Sequence, residues 1–375
     1  MIAHLVLGFL SLLLLFVFPD KKKGLIGAFV IITAFLGIRY MWGNDYPGYL
    51  SEFIRYGSFD FGLFDIEKSG ALRNEHQERE FGWVILNRIF GALGLGFFGF
   101  IIVLSTIENI IIYHLISKYV DPKYYWVAFF FYVFSVQFCI NASMLRQYLC
   151  ICMYMLVVEL MIEKKVKYYL LWSIGIILLG STIHQSNIAM LISLPLYYIH
   201  VKQGESSIKW IILVLLLYVL WSSFASGIAT NILNGFESSE DYSTFAHYME
   251  DHKSRTGIGT IYNYLLFAVW LWMLPQYEKR RQTMIILCIF PIFMEPVFLG
   301  TGLERFMVYF QMFNMIVWAW LIQKTKEKKL LLIYVLFVAH VYKTFVMDIP
   351  SFYYLPVWTE RFLEYHTIFE ADSWL

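Results

Sequence analysis

Leu25–Tyr46 reads LIGAFVIITAFLGIRYMWGNDY: fourteen uncharged residues, Leu25 to Ile38, then Arg39, then Asp45 beside Tyr46. An uninterrupted apolar run is what a bilayer core demands, and a charge in or beside that core costs about 2.5–3.5 kcal/mol on insertion scales. A cation and a carboxylate where such a run emerges therefore mark both a membrane span and a place where polar chemistry is kept at its mouth. The rest of the chain agrees: 59% of its residues are hydrophobic, 19% aromatic and 15% charged, well outside the range of soluble domains. The fold class read from this is an all-α integral membrane protein, one polytopic unit over residues 1–375.

Apolar stretches of spanning length recur. After the first, Ile2 to Phe18, and Leu25 to Ile38, they cover Phe98 to Ile116, Tyr124 to Ile140, Met144 to Ile162, Tyr168 to Ile183 and Ile188 to Ile199. Further ones run over Ile208 to Ile228, Ile258 to Leu274, Met284 to Leu299, Phe306 to Ile322 and Leu330 to Val346, so about twelve crossings are expected. The first is followed by Asp20-Lys21-Lys22-Lys23 rather than preceded by positive charge, the reverse of a cleaved signal, and reads as a retained helix.

Alternate connections are basic: Lys21–Lys23, Lys118 with Lys123, Lys164-Lys165 with Lys167, Lys202 with Lys209, Lys279-Arg280-Arg281, and Lys324 to Lys329. Lysine and arginine stay cytoplasmic, so both termini are expected outside. The expected outer connections are 42–97, 229–257 and the tail from Met347, the longer two and the tail being richer in acid than base. Phe81 to Phe97 is apolar but carries Asn87 and Arg88. It is read as an outer amphipathic or re-entrant segment, because a crossing there would reverse every later basic loop.

With this topology the polar residues hardest to explain as packing fall at outer helix ends. They are Arg39 and Asp45, Glu80, Ser143 with Arg146 and Gln147, His184-Gln185-Ser186, Glu295 between Pro291 and Pro296, and Glu304-Arg305 with Tyr309. At helical spacing Ser143, Arg146 and Gln147 share a side, as do Arg305 and Tyr309. Arginine presents a planar fork of donors with a permanent charge, suited to phosphate oxygens. Asp45 is the first choice as general base, with Glu80 and Glu304 in reserve, and His184 is read as a donor or shuttle near them. Tyr40, Trp42, Tyr46 and Tyr49 could face sugars or anchor at the interface.

Other classes are excluded or thinly supported. A net charge of +1 with scattered cations gives no nucleic-acid surface. Cys139, Cys150, Cys152 and Cys288 lie in apolar runs without ligand spacing, so no disulfide or metal framework is expected. His247, Glu250, Asp251 and His252 read as a solvated loop rather than a metal site, and no cofactor is expected.

Arg39 with Gly43-Asn44-Asp45-Tyr46 and Tyr49, then Glu80-Phe81-Gly82, Arg146-Gln147, His184-Gln185-Ser186, and Glu304-Arg305 with Tyr309 occur in an order that resembles the EpsG-like, Wzy-type polysaccharide polymerases of bacteria. The resemblance spans about Leu25 to Tyr309. It implies a GT-C-like, metal-independent glycosyltransferase of the bacterial inner membrane that joins oligosaccharide repeat units carried on undecaprenyl diphosphate at the outer face. In it, Asp45, Glu80, Glu304 and His184 would be catalytic, and Arg39, Tyr46, Arg146, Gln147, Gln185, Ser186, Arg305 and Tyr309 would bind substrate. The implied partners are the lipid-linked oligosaccharide, membrane lipid, and a chain-length regulator and flippase of the same pathway. Two rival readings are a flippase or exporter of lipid-linked oligosaccharide and a membrane acyltransferase using His184.

Overall fold

The computed structural model describes residues 2–43, 45–57, 80–164, 167–195, 197, 258–298, 304–325, 330–343 and 365–369. These are helical almost throughout, with a single two-strand pairing among the described residues. Helix α1 (Ile2–Val17) and α2 (Lys21–Gly37) form an antiparallel hairpin. Asp20 caps α2 by accepting from the N–H groups of Lys22 at 3.0 Å and Lys23 at 3.3 Å. Lys21 donates to the carbonyls of Leu15 at 2.8 Å and Phe18 at 3.1 Å, closing α1 with a cation at its negative end.

Strand β1 (Arg39–Tyr40) pairs antiparallel with β2 (His366–Thr367) in the register Arg39 to Thr367 and Tyr40 to His366. The tail thus returns to the Arg39 end of α2. Next come α3 (Tyr46–Tyr56), α4 (Phe81–Ala92) and α5 (Gly96–Tyr119). Twelve residues of α4 rise only about 18 Å, too little for a core of about 30 Å, which fits the amphipathic or re-entrant reading of this stretch.

The expected span at Tyr124 to Ile140 is two short helices, α6 (Tyr125–Val133) and α7 (Val136–Ser143), bent by 58° at a break where Ser135 bonds back to the Tyr132 carbonyl at 2.9 Å. Helix α8 (Leu145–Glu163) follows after the single residue Met144, and α9 is Tyr169–Ser181. Ser143 therefore ends one helix while Arg146 and Gln147 begin another, so the expected common face of these three does not form.

At Ile188 to Ile199 a span was expected. Gln185–Ile192 is a 3-10 helix, a tighter winding that is poor over long runs, residues 193–195 are α-helical, and 196 with 198–199 lie outside the described residues. The later described helices are α10 (Ile258–Met273), α11 (Lys279–Phe298), α12 (Glu304–Gln311), α13 (Asn314–Lys324) and α14 (Leu330–Tyr342). Helix α11 continues through Pro291 and Pro296. Ile208 to Ile228 and the 229–257 loop lie outside the described residues.

Among the described residues, Gly96–Tyr119, Leu145–Glu163 and Phe306–Lys324 are long and apolar enough to cross a membrane, and the bent α6–α7 pair adds a fourth. Helices α5 and α8 run parallel, because Lys118 at the end of α5 pairs with Glu159 and, at 3.3 Å, with Glu163 at the end of α8. That cluster, with His114 on Glu159 at 2.8 Å and Tyr119 on Glu163 at 3.0 Å, marks the basic end of the bundle. Arg146 sits at the opposite end of α8.

Packing between helices is strongly aromatic. Tyr40, Trp42, Tyr46 and Tyr49 are all buried; Trp42 meets Phe35 edge-on at 5.1 Å and Tyr46 meets Phe97 at 5.3 Å between ring centroids. They are core rings, not exposed platforms or interface anchors. Large flat side chains fill the gap left where α2 ends and α3 turns beneath α5. The four cysteines are free and buried.

Candidate functional site

Four separate pieces of chain meet at the start of α8. The first is α3, whose buried face carries Tyr46, Tyr49, Glu52, Phe53 and Tyr56. The second is Glu80, which stands at the N-cap of α4 with its side chain making no cap bond, so its carboxylate is turned elsewhere. The third is α8 with Arg146, and the fourth is the turn from α9 into Gln185–Ile192. Helix α12 closes the group with Tyr309.

Arg146 Nη1 donates to Glu80 Oε2 in an ion pair whose two side chains are each 13% exposed. The other Glu80 oxygen, Oε1, accepts the backbone N–H of Gln185 at 3.2 Å. The Arg146 guanidinium lies 5.9 Å from the centre of the Tyr49 ring and hydrogen-bonds its phenol. Burial pushes that phenol up to about 12, so Tyr49 keeps its proton. Arg146 Nε is buried with no hydrogen-bond partner. The guanidinium thus holds a carboxylate and a phenol while Nε is left as a spare buried donor, and a fork of this kind has the geometry to bind two oxygens of one anion.

Beside it, the Ser186 N–H donates to His184 Nδ1 at 3.3 Å. Nδ1 is thereby an acceptor and the neutral imidazole carries its proton on Nε2. Ser186 Oγ lies 2.9 Å from His184 Nδ1 and 2.8 Å from the Tyr309 hydroxyl, giving a chain Tyr309–Ser186–His184 that fixes the imidazole. His184 in this tautomer offers a donor, not a base.

Glycine decides how closely these pieces approach. Gly82 N–H bonds to the Thr182 carbonyl at 2.7 Å, and a Cβ on Gly82 would meet Thr182 Oγ1 at 2.3 Å and its carbonyl oxygen at 2.8 Å. No larger residue fits without parting α4 from the end of α9, and Glu80, two residues earlier, would leave Gln185. Gly82→Val is expected to weaken stability by about 1–3 kcal/mol through overpacking and to part Glu80 from the Gln185 N–H, read by thermal unfolding in detergent.

The expected residues separate into two groups. Glu80, Arg146, Gln185, Ser186, His184 and Tyr309 come together. Gln147 is buried next to Arg146 on α8. Asp45, half-buried at the start of α3, lies within electrostatic reach of Tyr49. Glu304 and Arg305 open α12 one turn before Tyr309, with side chains outside the described residues. Glu295 accepts from Asn263 on the α10–α11 pair.

Arg39 and Tyr46 join a different group. Arg39 is fully buried, donates to the Leu36 carbonyl and to Ser105 Oγ at 3.3 Å, and lies within electrostatic reach of Glu108. The Tyr46 hydroxyl donates to the Arg39 carbonyl at 3.1 Å. Asn109, Tyr132 and Asn141 continue this interior network, Tyr132 bonding Asn109 at 2.7 Å and Asn141 bonding Tyr132 at 3.3 Å.

Sequence reading missed Glu52, Trp83 and Thr182. The Trp83 indole donates to Glu52 Oε2 at 2.7 Å, and Glu52 faces Arg146 electrostatically, a second carboxylate at the site. Its signal was present: Tyr46, Tyr49, Glu52, Phe53 and Tyr56 follow helical spacing, so a carboxylate stands on the otherwise apolar face of α3. Among the described residues no cluster of His, Cys, Asp or Glu could hold a metal ion, and His247 to His252 fall outside them.

No curated protein and no solved structure matches the chain. The EpsG family model matches residues 25–366, a stretch that contains every residue of the Glu80–Arg146–Tyr309 group, and the chain therefore belongs to the EpsG family, a Wzy-like polymerase family.

Proposed function

We propose that this protein polymerises oligosaccharide repeat units carried on undecaprenyl diphosphate, transferring the growing glycan from its lipid diphosphate to a hydroxyl of an incoming lipid-linked unit. Family membership sets the polymerase-like role. The single observation that carries the reading is the Arg146 fork, engaged by Glu80 and flanked by Tyr49 and the His184–Ser186–Tyr309 chain. Phosphate recognition, a base and a donor thus stand within one small group of side chains. Arg146 would receive the developing diphosphate charge, with Arg305 as its companion. Glu80, which touches Arg146, is preferred over Asp45 and Glu304 as the base. His184 Nε2–H would steady a phosphate or sugar oxygen.

The setting is a bacterial inner membrane with the site and both termini at the outer face, in a GT-C-like arrangement of about twelve spans. The partners are a chain-length regulator and the flippase that supplies the substrate. A second reading, transport of lipid-linked oligosaccharide, draws on the buried charges Arg39 and Glu108, since transporters keep such groups in mid-membrane.

One experiment separates the two. Purified protein in detergent, given preassembled lipid-linked repeat units and no added metal, is expected to lengthen glycan chains although there is no bilayer to cross. If chains stay at one unit in detergent while labelled lipid-linked sugar crosses a proteoliposome bilayer, the transport reading replaces this one.

A further inference from the structure

Glu80 is held with both carboxylate oxygens engaged. One of its oxygens is on Arg146 and the other on the Gln185 N–H, while Arg146 Nε stays buried without a partner. Arg146 is also approached by Glu52, itself fixed by the Trp83 indole at 2.7 Å. The base and the phosphate clamp thus occupy each other. A diphosphate brings more negative charge than a carboxylate, and its oxygens match both arms of the guanidinium fork, so it is the stronger partner for Arg146.

We propose that the Arg146–Glu80 pair is a latch: the lipid diphosphate takes the place of Glu80 on Arg146, and the carboxylate so released turns to the acceptor hydroxyl as general base. This inference rests on the glycosyl-transfer reading above. In the reaction, Glu80 takes the proton of the acceptor hydroxyl as that oxygen bonds to the anomeric carbon. The bond from the anomeric carbon to the phosphate oxygen breaks, and its electron pair leaves with the lipid diphosphate, whose charge rests on Arg146. One proton moves to Glu80 and no oxidant or metal takes part.

The latch ties base release to donor binding. Glu80 is withheld until a lipid diphosphate is seated, which keeps a free carboxylate from directing water at an empty or half-filled site. Gln185 supplies the second hold through its main-chain N–H, so the resting position of Glu80 depends on the turn after α9 and not on a particular side chain there.

The probe is a sugar-free polyprenyl diphosphate, titrated into full-length protein in detergent, beside elongation of lipid-linked repeat units. Glu80→Gln removes the competing charge while keeping the shape. It is expected to bind the probe about ten-fold more tightly than the unaltered protein while elongation falls by ~10²-fold or more. A residue that only braces Arg146 would show the opposite, with binding weakened along with activity. Unchanged or weaker binding by Glu80→Gln in a protein whose parent elongates normally overturns the latch and leaves the polymerase reading standing. A parent protein that never elongates overturns the polymerase reading instead, whatever the probe does. Should Glu80→Gln fail to fold, Glu80→Asp serves, since its shorter reach loosens the pair. It too must bind the probe more tightly than the parent, and equal or weaker binding overturns the latch.

Discussion

Arg146→Ala is expected to reduce glycan elongation by about 10²–10³-fold, the loss typical of removing one preorganised donor aimed at developing negative charge. Arg146→Lys is expected to recover little of it. Lysine keeps the charge but lacks the planar fork, and it cannot engage Glu80 and Tyr49 in the same geometry. Stability enters as well, because Arg146→Ala leaves the half-buried Glu80 carboxylate with only the Gln185 N–H. The double variant Arg146→Ala with Glu80→Ala removes both charges and should regain the lost thermal stability without regaining activity. Near-normal elongation by Arg146→Lys would reduce Arg146 to a structural ion-pair partner.

The second large effect concerns the interior. Arg39 and Glu108 are both fully buried, and Arg39 Nε and Nη2 and both Glu108 oxygens have no hydrogen-bond partner. The two groups lie within electrostatic reach of each other, so each moderates the cost of burying the other. Removing one partner of a buried pair costs about 3–5 kcal/mol, whereas replacing both with apolar residues of similar volume is often neutral or stabilising. Arg39→Met and Glu108→Leu are each expected to unfold the protein at markedly lower temperature, and the double variant to recover most of the loss. Additive losses in the double variant would show that Arg39 and Glu108 do not depend on each other. Recovery of folding together with activity would further place Arg39 outside the diphosphate site. Recovery of folding without activity would return Arg39 to substrate binding.

Two readings from the chain carried over into the structure in different ways. Glu80-Phe81-Gly82 and His184-Gln185-Ser186 are far apart in sequence, and both looked like isolated polar punctuation at helix ends. Their connection runs through main-chain atoms, Gly82 N–H to Thr182 and Gln185 N–H to Glu80. No residue type encodes such contacts, except the glycine that permits the approach. Arg39 illustrates the opposite case. Its position after an apolar run suggested the mouth of a span, yet the chain folds back through Tyr40 and Trp42 into the core, so the cation is enclosed with Glu108.

What the sequence determined by itself was the helical membrane class, the segments that bear charge, and which carboxylates and arginines are costly enough to need a reason. These follow from hydropathy and from the price of charge in an apolar medium, which act residue by residue along the chain. What only the tertiary structure decided was partnership: that Arg146 pairs with Glu80 and not Ser143, that Glu52 joins them, and that Arg39 answers to Glu108. Local periodicity fixes the face a residue occupies on its own helix, but the bend between α6 and α7, the 3-10 turn after His184 and the close approach at Gly82 set which faces meet. Those depend on packing between segments tens to hundreds of residues apart, where side-chain volume and main-chain hydrogen bonding act together.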